Sequence, residues 1–558
     1  MKYITALLIF LHIFISTGCQ SKTQGHYYVS NNGNDNANGR SPQTAWKSID
    51  KVNSARFLPG DTVYFEAGST WRGTLQVDPG AIGKPVVYTR YGTGKNPRFI
   101  GSEKAGNWQS VKPGAVWKAS GTFEDMRKYY GGEIWFLVKD SVIWGDFQEY
   151  TSDFSNLKKE YDWTWSNGAV YVWSPDNPGT RYDGVEVPQR ERCVTASSEA
   201  SSYIVIDGID MAFSKRSGYY SGYPEVYKQT DLTIRNCHIA YIGLKGASSA
   251  YGIVAFHSNF LVENCVINDC GRRAISINMY TKRPAGEEIN IRNLVIRNNV
   301  FKRGYHTTSL DLAMMEECKG DTIREVYFYN NYIDDHEVLM EGEDKLSNQI
   351  FTQEGAGYIS NVYIYNNIFN RSTGRNILIE GGDSVFIWNN TIFGHNENIS
   401  KSPYSNVGLN HARNVDYRNN ILYDNLGNIS LNNHGVMMYY VPGRFIRKDY
   451  NLYYSLFPGT ERHFSTHRVN NAQDGSVGYW NTQQWGTYLS RNPLFEQHSP
   501  VPADPQFVDN RNDFHLRPGS PAIGAGVPIS MITTDFYGDP VNNPPDLGAI
   551  RFSPEETK

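Results

Sequence analysis

Two glutamates close short runs of alternating apolar residues: Val338-Leu-Met-Glu341 and Arg375-Asn-Ile-Leu-Ile-Glu380. In an extended strand successive side chains point to opposite faces, so a terminal glutamate can face outward while the apolar pair before it faces inward. Aligning the pairs Ile275/Ile277, Val338/Met340, Ile377/Ile379 and Val407/Leu409 puts Asn278, Glu341, Glu380 and Asn410 in one outward column. Asp311, in Ser309-Leu-Asp-Leu-Ala313, belongs near that column, with its register open by two residues. On neighbouring strands the two carboxyls would stand about 5 Å apart, close to the roughly 5–5.5 Å of a retaining glycosidase pair. So close together they cannot both ionise freely, and one becomes a proton donor beside an anionic partner. Asp311, Asn278, Asn410 and His411 would line the sugar subsites through hydrogen bonds.

Such a column requires strands stacked in register, and the sequence carries the repeat that builds one. Seven segments place two apolar positions around an Asn-Asn or Asn-Cys pair, as in Ile296-Arg-Asn-Asn-Val-Phe301 and Ile364-Tyr-Asn-Asn-Ile-Phe369. The first Asn of each pair falls at 236, 264, 298, 330, 366, 389 and 419. A repeat of short strands on this scale predicts a solenoid, an all-β right-handed parallel β-helix, in which Asn stacks on Asn and each amide bonds the next. A solenoid has no single core that must stop growing, so 558 residues do not force division into globular domains.

The formal net charge is −4 and no basic stripe is visible, which argues against a nucleic-acid partner. The 38 Tyr and 12 Trp fill a core and also suit sugar faces. Apart from Cys19 there are five cysteines and no Cys-x-x-Cys pair, so no zinc site is indicated. Cys237 and Cys265 share one repeat position and are expected to stack in the core, with a disulfide not required. No Gly-x-Ser-x-Gly elbow, phosphate loop or His-Glu-x-x-His is present. The scattered histidines (238, 257, 306, 336, 411 and 434) read as hydrogen-bonding groups rather than metal ligands.

The chain divides in the reading as follows. Residues 1–18 form a signal peptide: Lys2, an apolar run from Ile4 to Ile15, and Ser16-Thr17-Gly18 before Cys19. This resembles a bacterial lipoprotein signal and implies lipidation at Cys19, or alternatively ordinary secretion; both place the protein in the cell envelope or outside. Residues 19–25 are a linker, 26–104 an N-terminal cap and first coils, and 105–190 an inserted β-sandwich holding seven of the twelve Trp. Residues 191–495 are the main β-helix and 496–558 a C-terminal cap that shields the last coil. No later apolar run reaches the roughly 18 residues of a membrane span.

A β-helix with a sandwich inserted after its first coils resembles the β-xylosidases of glycoside hydrolase family 120, and more broadly the β-helix glycosidases that include family 141. The resemblance implies a nucleophilic carboxylate ending one strand and an acid/base ending the matching strand of the next coil, in an Arg-x-Φ-Φ-Φ-Glu run. Arg375-Asn-Ile-Leu-Ile-Glu380 fits the second place. Val338-Leu-Met-Glu341 fits the first, with Glu where the family has Asp; Glu343 and Asp344 stand close enough in sequence to serve instead. The expectation is therefore a monomeric retaining glycoside hydrolase acting on a plant or algal glycan, tethered to a membrane by its N-terminal lipid and requiring no cofactor. Two other readings stay open. One is a polysaccharide lyase with Arg272 or Lys282 as base and calcium held by the Glu341-Gly-Glu343-Asp344 cluster. The other is a glycan-binding β-helix without catalysis.

Overall fold

The computed structural model describes residues 24–554 except 113–114, 126–131, 198–200, 223–228, 245–248, 280–287, 316–317, 336–347, 373, 396–405, 411, 425–433, 441–445, 457–461 and 469–477. Each coil contributes one strand to each of three sheets. Ile204–Asp207 goes to the first sheet, Asp210–Ala212 to the second and Ser217–Tyr220 to the third; Thr230–Arg235 then begins the next coil. The sheets hold 12, 11 and 12 strands. Every coil-to-coil pairing is parallel, from His26–Val29 with Thr62–Glu66 through to Arg413–Arg418 with Ile446–Asp449. The molecule is thus a right-handed parallel β-helix, the hand that β-crossovers take.

The asparagine pairs make the corner between the first and second sheets, and their two members do different work. The first Asn adopts the left-handed conformation, with φ between 50 and 59° at 236, 264, 298, 330, 366, 389 and 419. A corner only two residues long needs that conformation, and Asn tolerates it. The second residue turns inward. Nδ2 of Asn299, Asn331, Asn367, Asn390 and Asn420 reaches Oδ1 of Asn331, Asn367, Asn390, Asn420 and Asn451 in turn, at 3.0–3.1 Å. Each accepting Oδ1 also receives the backbone N–H of the preceding Asn at 2.9–3.0 Å. Cys237 and Cys265 take the equivalent places in earlier coils; both are buried free thiols. Asn451 ends the ladder against Glu496, which forms a fully buried pair with Lys448.

Two appendages cover the second sheet from outside. Strands between Ser102 and Pro188 leave the helix and build an eight-stranded assembly around the long strand Ser102–Lys112, with its own core of Phe136, Trp163, Val172 and Val185. Trp135 of this unit packs on Ile100, Ala212 and Phe213. Toward the other end, Phe507, Phe514, Leu516 and Leu547 pack on Ile368, Phe393, Ile421 and Leu452 of the second sheet. The segment expected as the terminal cap therefore runs along the flank. The last coil is instead closed by the short helix Trp485–Arg491, whose Trp485 and Tyr488 join the main core with Phe495. No described helix is long and apolar enough to cross a membrane.

Removing an inward Asn strands several buried groups at once, whereas the left-handed Asn298 is exposed. Asn367→Ala is expected to lower unfolding free energy by about 3 kcal/mol, the cost of leaving buried partners unbonded. Asn298→Gly, which keeps the left-handed corner, should change it by less than about 0.5 kcal/mol. Urea titrations of the two variants give the comparison.

Candidate active site

Corners between the first and second sheets are tight, and the second sheet is covered. The longer connections all border the third sheet: Ile242 to Tyr251, Asp334 to Asn348 and His395 to Val407 enter it, while Tyr220 to Thr230 and Met279 to Asn290 leave it. Segments free of the helix repeat are where recognition groups are placed. The third sheet is thus the one whose strands are joined by the longest connections.

Strand register lays the outer face of that sheet out as a grid. The central outward row runs Ser276, Asp311, Phe351, Leu378, Gly408, each paired with the next. One edge row runs Asn278, Ala313, Gln353, Glu380, Asn410. Along the other edge, Arg273 pairs with Thr307 and Thr307 with Asn348, whose Oδ1 accepts the Arg375 backbone N–H. Inward partners are Ile275/Ile277, Leu310/Leu312, Ile350/Thr352, Ile377/Ile379 and Val407/Leu409, all buried. Gly408 leaves room that a Cβ would take from Leu378 and Arg375, 3.1 and 3.3 Å away.

Asn278, Glu380 and Asn410 therefore share a row, with Ala313 and Gln353 between the first two. The strand before Glu380 is Asn348–Gln353 and not the expected Val338–Glu341, so the register neighbour of Glu380 is Gln353. Thr352 explains the difference: a polar residue in an inward place hid the true strand, while Val338 and Met340 imitated one. Glu341, Glu343, Asp344, Lys282 and His411 lie outside the described residues, and only the backbone of Asn410 is described. Glu354, next to Gln353, is held by the Arg413 guanidinium at 2.6 and 3.1 Å, so it is engaged in the coil-to-coil scaffold. Among the described residues no cluster of three metal-ligating side chains occurs.

Asp311 falls two residues from the edge row, in the central one, and is fully buried. Its Oδ2 accepts from Arg273 Nε at 2.6 Å and from Thr307 Oγ1 at 3.0 Å. Its Oδ1 has no hydrogen-bond partner among the described residues. Burial pushes the Asp311 carboxyl above its ordinary range, while Arg273, Thr307 and the nearby Asn278 amide pull it back. His306 adjoins this pair, with Nδ1 3.6 Å from Asp311 Oδ2 and its ring edge-on to Phe351 at 5.8 Å. Burial, then Arg273 and Arg272, push the imidazole down to about 3, so it is neutral at ordinary pH. Sequence reasoning named Asp311 but missed its partners. The available signal was the spacing: Arg273 to Asp311 is 38 residues, near the length of one coil in this region.

Glu380 stands apart from this charge network, half-buried at the end of Ile377–Glu380. It is flanked by the amide of Gln353 and the backbone of Asn410, and lies beside the apolar floor of Phe351 and Leu378. The arrangement offers one half-buried carboxyl near the Gln353 amide and the half-buried Phe351, while Leu378 and Gly408 in the row beside it are buried.

No family model and no curated protein matches the chain. Among solved structures it is similar to XylC in complex with xylose, at 14% identity and a TM-score of 0.48, over 95% of this chain and 98% of that one. It is also similar to pectate lyase Pel9A, at 13% identity and a TM-score of 0.42, over 95% and 97%. A third is the GH136 lacto-N-biosidase from Eubacterium ramulus, at 13% identity and a TM-score of 0.38, over 80% and 67%.

Asp311→Asn leaves Arg273 a buried charge without its carboxylate. It should cost roughly 3–5 kcal/mol of stability, whereas Glu380→Gln, at a half-exposed strand end, should cost no more than about 0.5 kcal/mol. Denaturant unfolding of both variants measures the contrast.

Proposed function

We propose that the chain is a glycan-cleaving enzyme that works on the outer face of the third sheet. Our reading is a retaining glycoside hydrolase for plant or algal glycans, exported and held at the cell envelope through a lipid on Cys19. The observation that carries it is Glu380: a half-buried carboxyl at a strand end, paired in register with Gln353 and next to the row of Phe351, Leu378 and Gly408.

In this mechanism Glu341 attacks the anomeric carbon while Glu380 protonates the departing oxygen. Glu380 then takes a proton from the water that releases the sugar. Glu341 belongs to the connection that ends at Asn348, one coil before Arg375. Seven steps along the chain lead from Glu341 to Asn348 and can span up to roughly 23 Å. Strand spacings put the backbone of Glu380 about 17 Å from that of Asn348. The tether is therefore long enough for the two carboxyls to meet over the third sheet, and Asn278, Asp311, Asn410 and His411 lie along the substrate's path in this reading.

Purified protein screened on plant and algal glycans, with and without chelator, tests the proposal. Glu380→Gln should lose about 10²–10⁴-fold in turnover while still binding the glycan. Glu341→Gly should regain activity with azide, which replaces the missing nucleophile and appears in the product. Retained turnover in Glu380→Gln, or no rescue at position 341, would sink the assignment of the pair.

A further inference from the structure

Two tight turns stand side by side at the N-terminal end of the solenoid. In Ala81-Ile82-Gly83-Lys84 the two end residues exchange backbone hydrogen bonds at 3.0 and 2.8 Å, and Gly83 is left-handed with φ of 67°. In Leu58-Pro59-Gly60-Asp61 the Asp61 N–H returns to the Leu58 carbonyl at 2.9 Å, and the Asp61 carboxylate accepts the Leu58 N–H at 2.9 Å. A Cβ at Gly60 would lie 3.8 Å from the Lys84 Cβ, so the two turns are neighbours. Their tips are apolar. Ile82 is 82% exposed, and Pro59 is exposed too. A hydrogen-bonded turn asks for a glycine at its left-handed place, and not for an isoleucine in water.

Cations surround these tips. Gln24, Arg40, Pro59 and Lys84 line a hollow of about 460 Å³, and Arg56 and Pro59 line a second of about 490 Å³. Of the charged residues in the two linings, Arg40, Arg56 and Lys84 are exposed, whereas Asp61 is buried and Asp78 half-buried. Both carboxylates are occupied by the fold. Asp61 accepts from the Gly25 and Leu58 N–H groups at 2.8 and 2.9 Å, and Asp78 from the Phe57 N–H at 2.9 Å and the Ser197 hydroxyl at 2.6 Å. The chain reaches this place from Cys19. Five steps lead from Cys19 to Gln24 and span at most about 18 Å. The residues between, Gln20-Ser-Lys-Thr23, carry a single charge, and it is positive.

We propose that this end of the solenoid docks on the anionic phospholipid surface that holds the lipid of Cys19. Ile82 and Pro59 enter the headgroup region, and Arg40, Arg56 and Lys84 meet lipid phosphates. The inference rests on the reading of Cys19 as a lipid anchor and goes beyond it by fixing how the molecule stands. The anchor presents the headgroups at high effective concentration, so a small patch is enough to set orientation. Ile377–Glu380 is the eighth strand of the third sheet counted from Leu75–Val77. Seven spacings along an axis rising from the membrane place Glu380 about 34 Å beyond the first coil, clear of the headgroups.

The test uses the mature protein extracted from membranes and placed in vesicles of phosphatidylcholine, alone or with about one third phosphatidylglycerol. Every described cysteine is buried, so a dye on Thr487→Cys, exposed on the closing helix, marks the far end. Energy transfer from the dye to an acceptor lipid reads the height of that end. Transfer should be at least about twofold lower in the anionic vesicles, and the difference should vanish above about 0.5 M salt, where screening shortens to a few Å. The variant Ile82→Asp/Arg56→Glu/Lys84→Glu should give equal transfer in the two vesicles at an unchanged urea midpoint, and Lys84→Arg should behave as the parent. Equal transfer by the parent in both vesicles, or a difference that survives in the triple variant, overturns the docking. The mass of the mature protein separates this from the anchor itself. A Cys19 without acyl chains overturns the anchor and the docking with it, whereas an acylated protein whose far end stays low overturns the docking alone.

Discussion

The inward asparagine ladder is the interaction on which the remaining geometry depends. A parallel strand that slips by one residue exchanges its inner and outer faces. The second Asn of each pair bonds its counterpart in the next coil through side chain and backbone at once, as Asn331 does with Asn367. A slip would leave buried amides unbonded in several coils together. The ladder thus sets coil against coil, and every outward row on the third sheet inherits its alignment from a corner on the far side of the helix.

That division of labour explains where the chemistry can go. One corner is two residues long throughout the asparagine-pair coils, held by a left-handed Asn and an inward amide, although six residues fill it between Val86–Tyr91 and Arg98–Ile100. The second sheet is committed to holding the sandwich and the C-terminal segment against its outer face. What remains is the third sheet, whose strands are entered and left by connections of variable length. Small residues at Ser276, Ala313 and Gly408 keep its floor low, while Phe351 and Leu378 make it apolar in the middle. The two edges of the third sheet differ in kind: Glu380 pairs in register with the neutral Gln353, and His306 adjoins the buried Arg273–Asp311 pair.

Much of this was legible in one dimension because it is periodic. The asparagine pairs mark the corner, and the alternation around Ile377 and Ile379 gives the face on which Glu380 stands. The shared row of Asn278, Glu380 and Asn410 follows from matching inward pairs alone. The misreading at Glu341 has a physical cause. Val338 and Met340 alternate like an inward pair, but the coil takes Ile350 and Thr352, and a threonine in an apolar place carries no hydrophobic signal. The pattern called for an asparagine ladder without telling which of two adjacent asparagines turns inward; the left-handed backbone at the first decides it.

The sequence by itself determined the solenoid, its coil length, the tight corner and the outward setting of Glu380, since each is a local pattern repeated along the chain. Only the tertiary structure decided which strand lies beside Glu380, which segment closes the last coil, and that Arg273, Thr307, His306 and Asp311 act on one another. Those partners come from successive coils or sit across a bulged register. Their meeting depends on how many residues each connection loops out before the next strand begins, and that length is set by packing in three dimensions and not by any period along the chain.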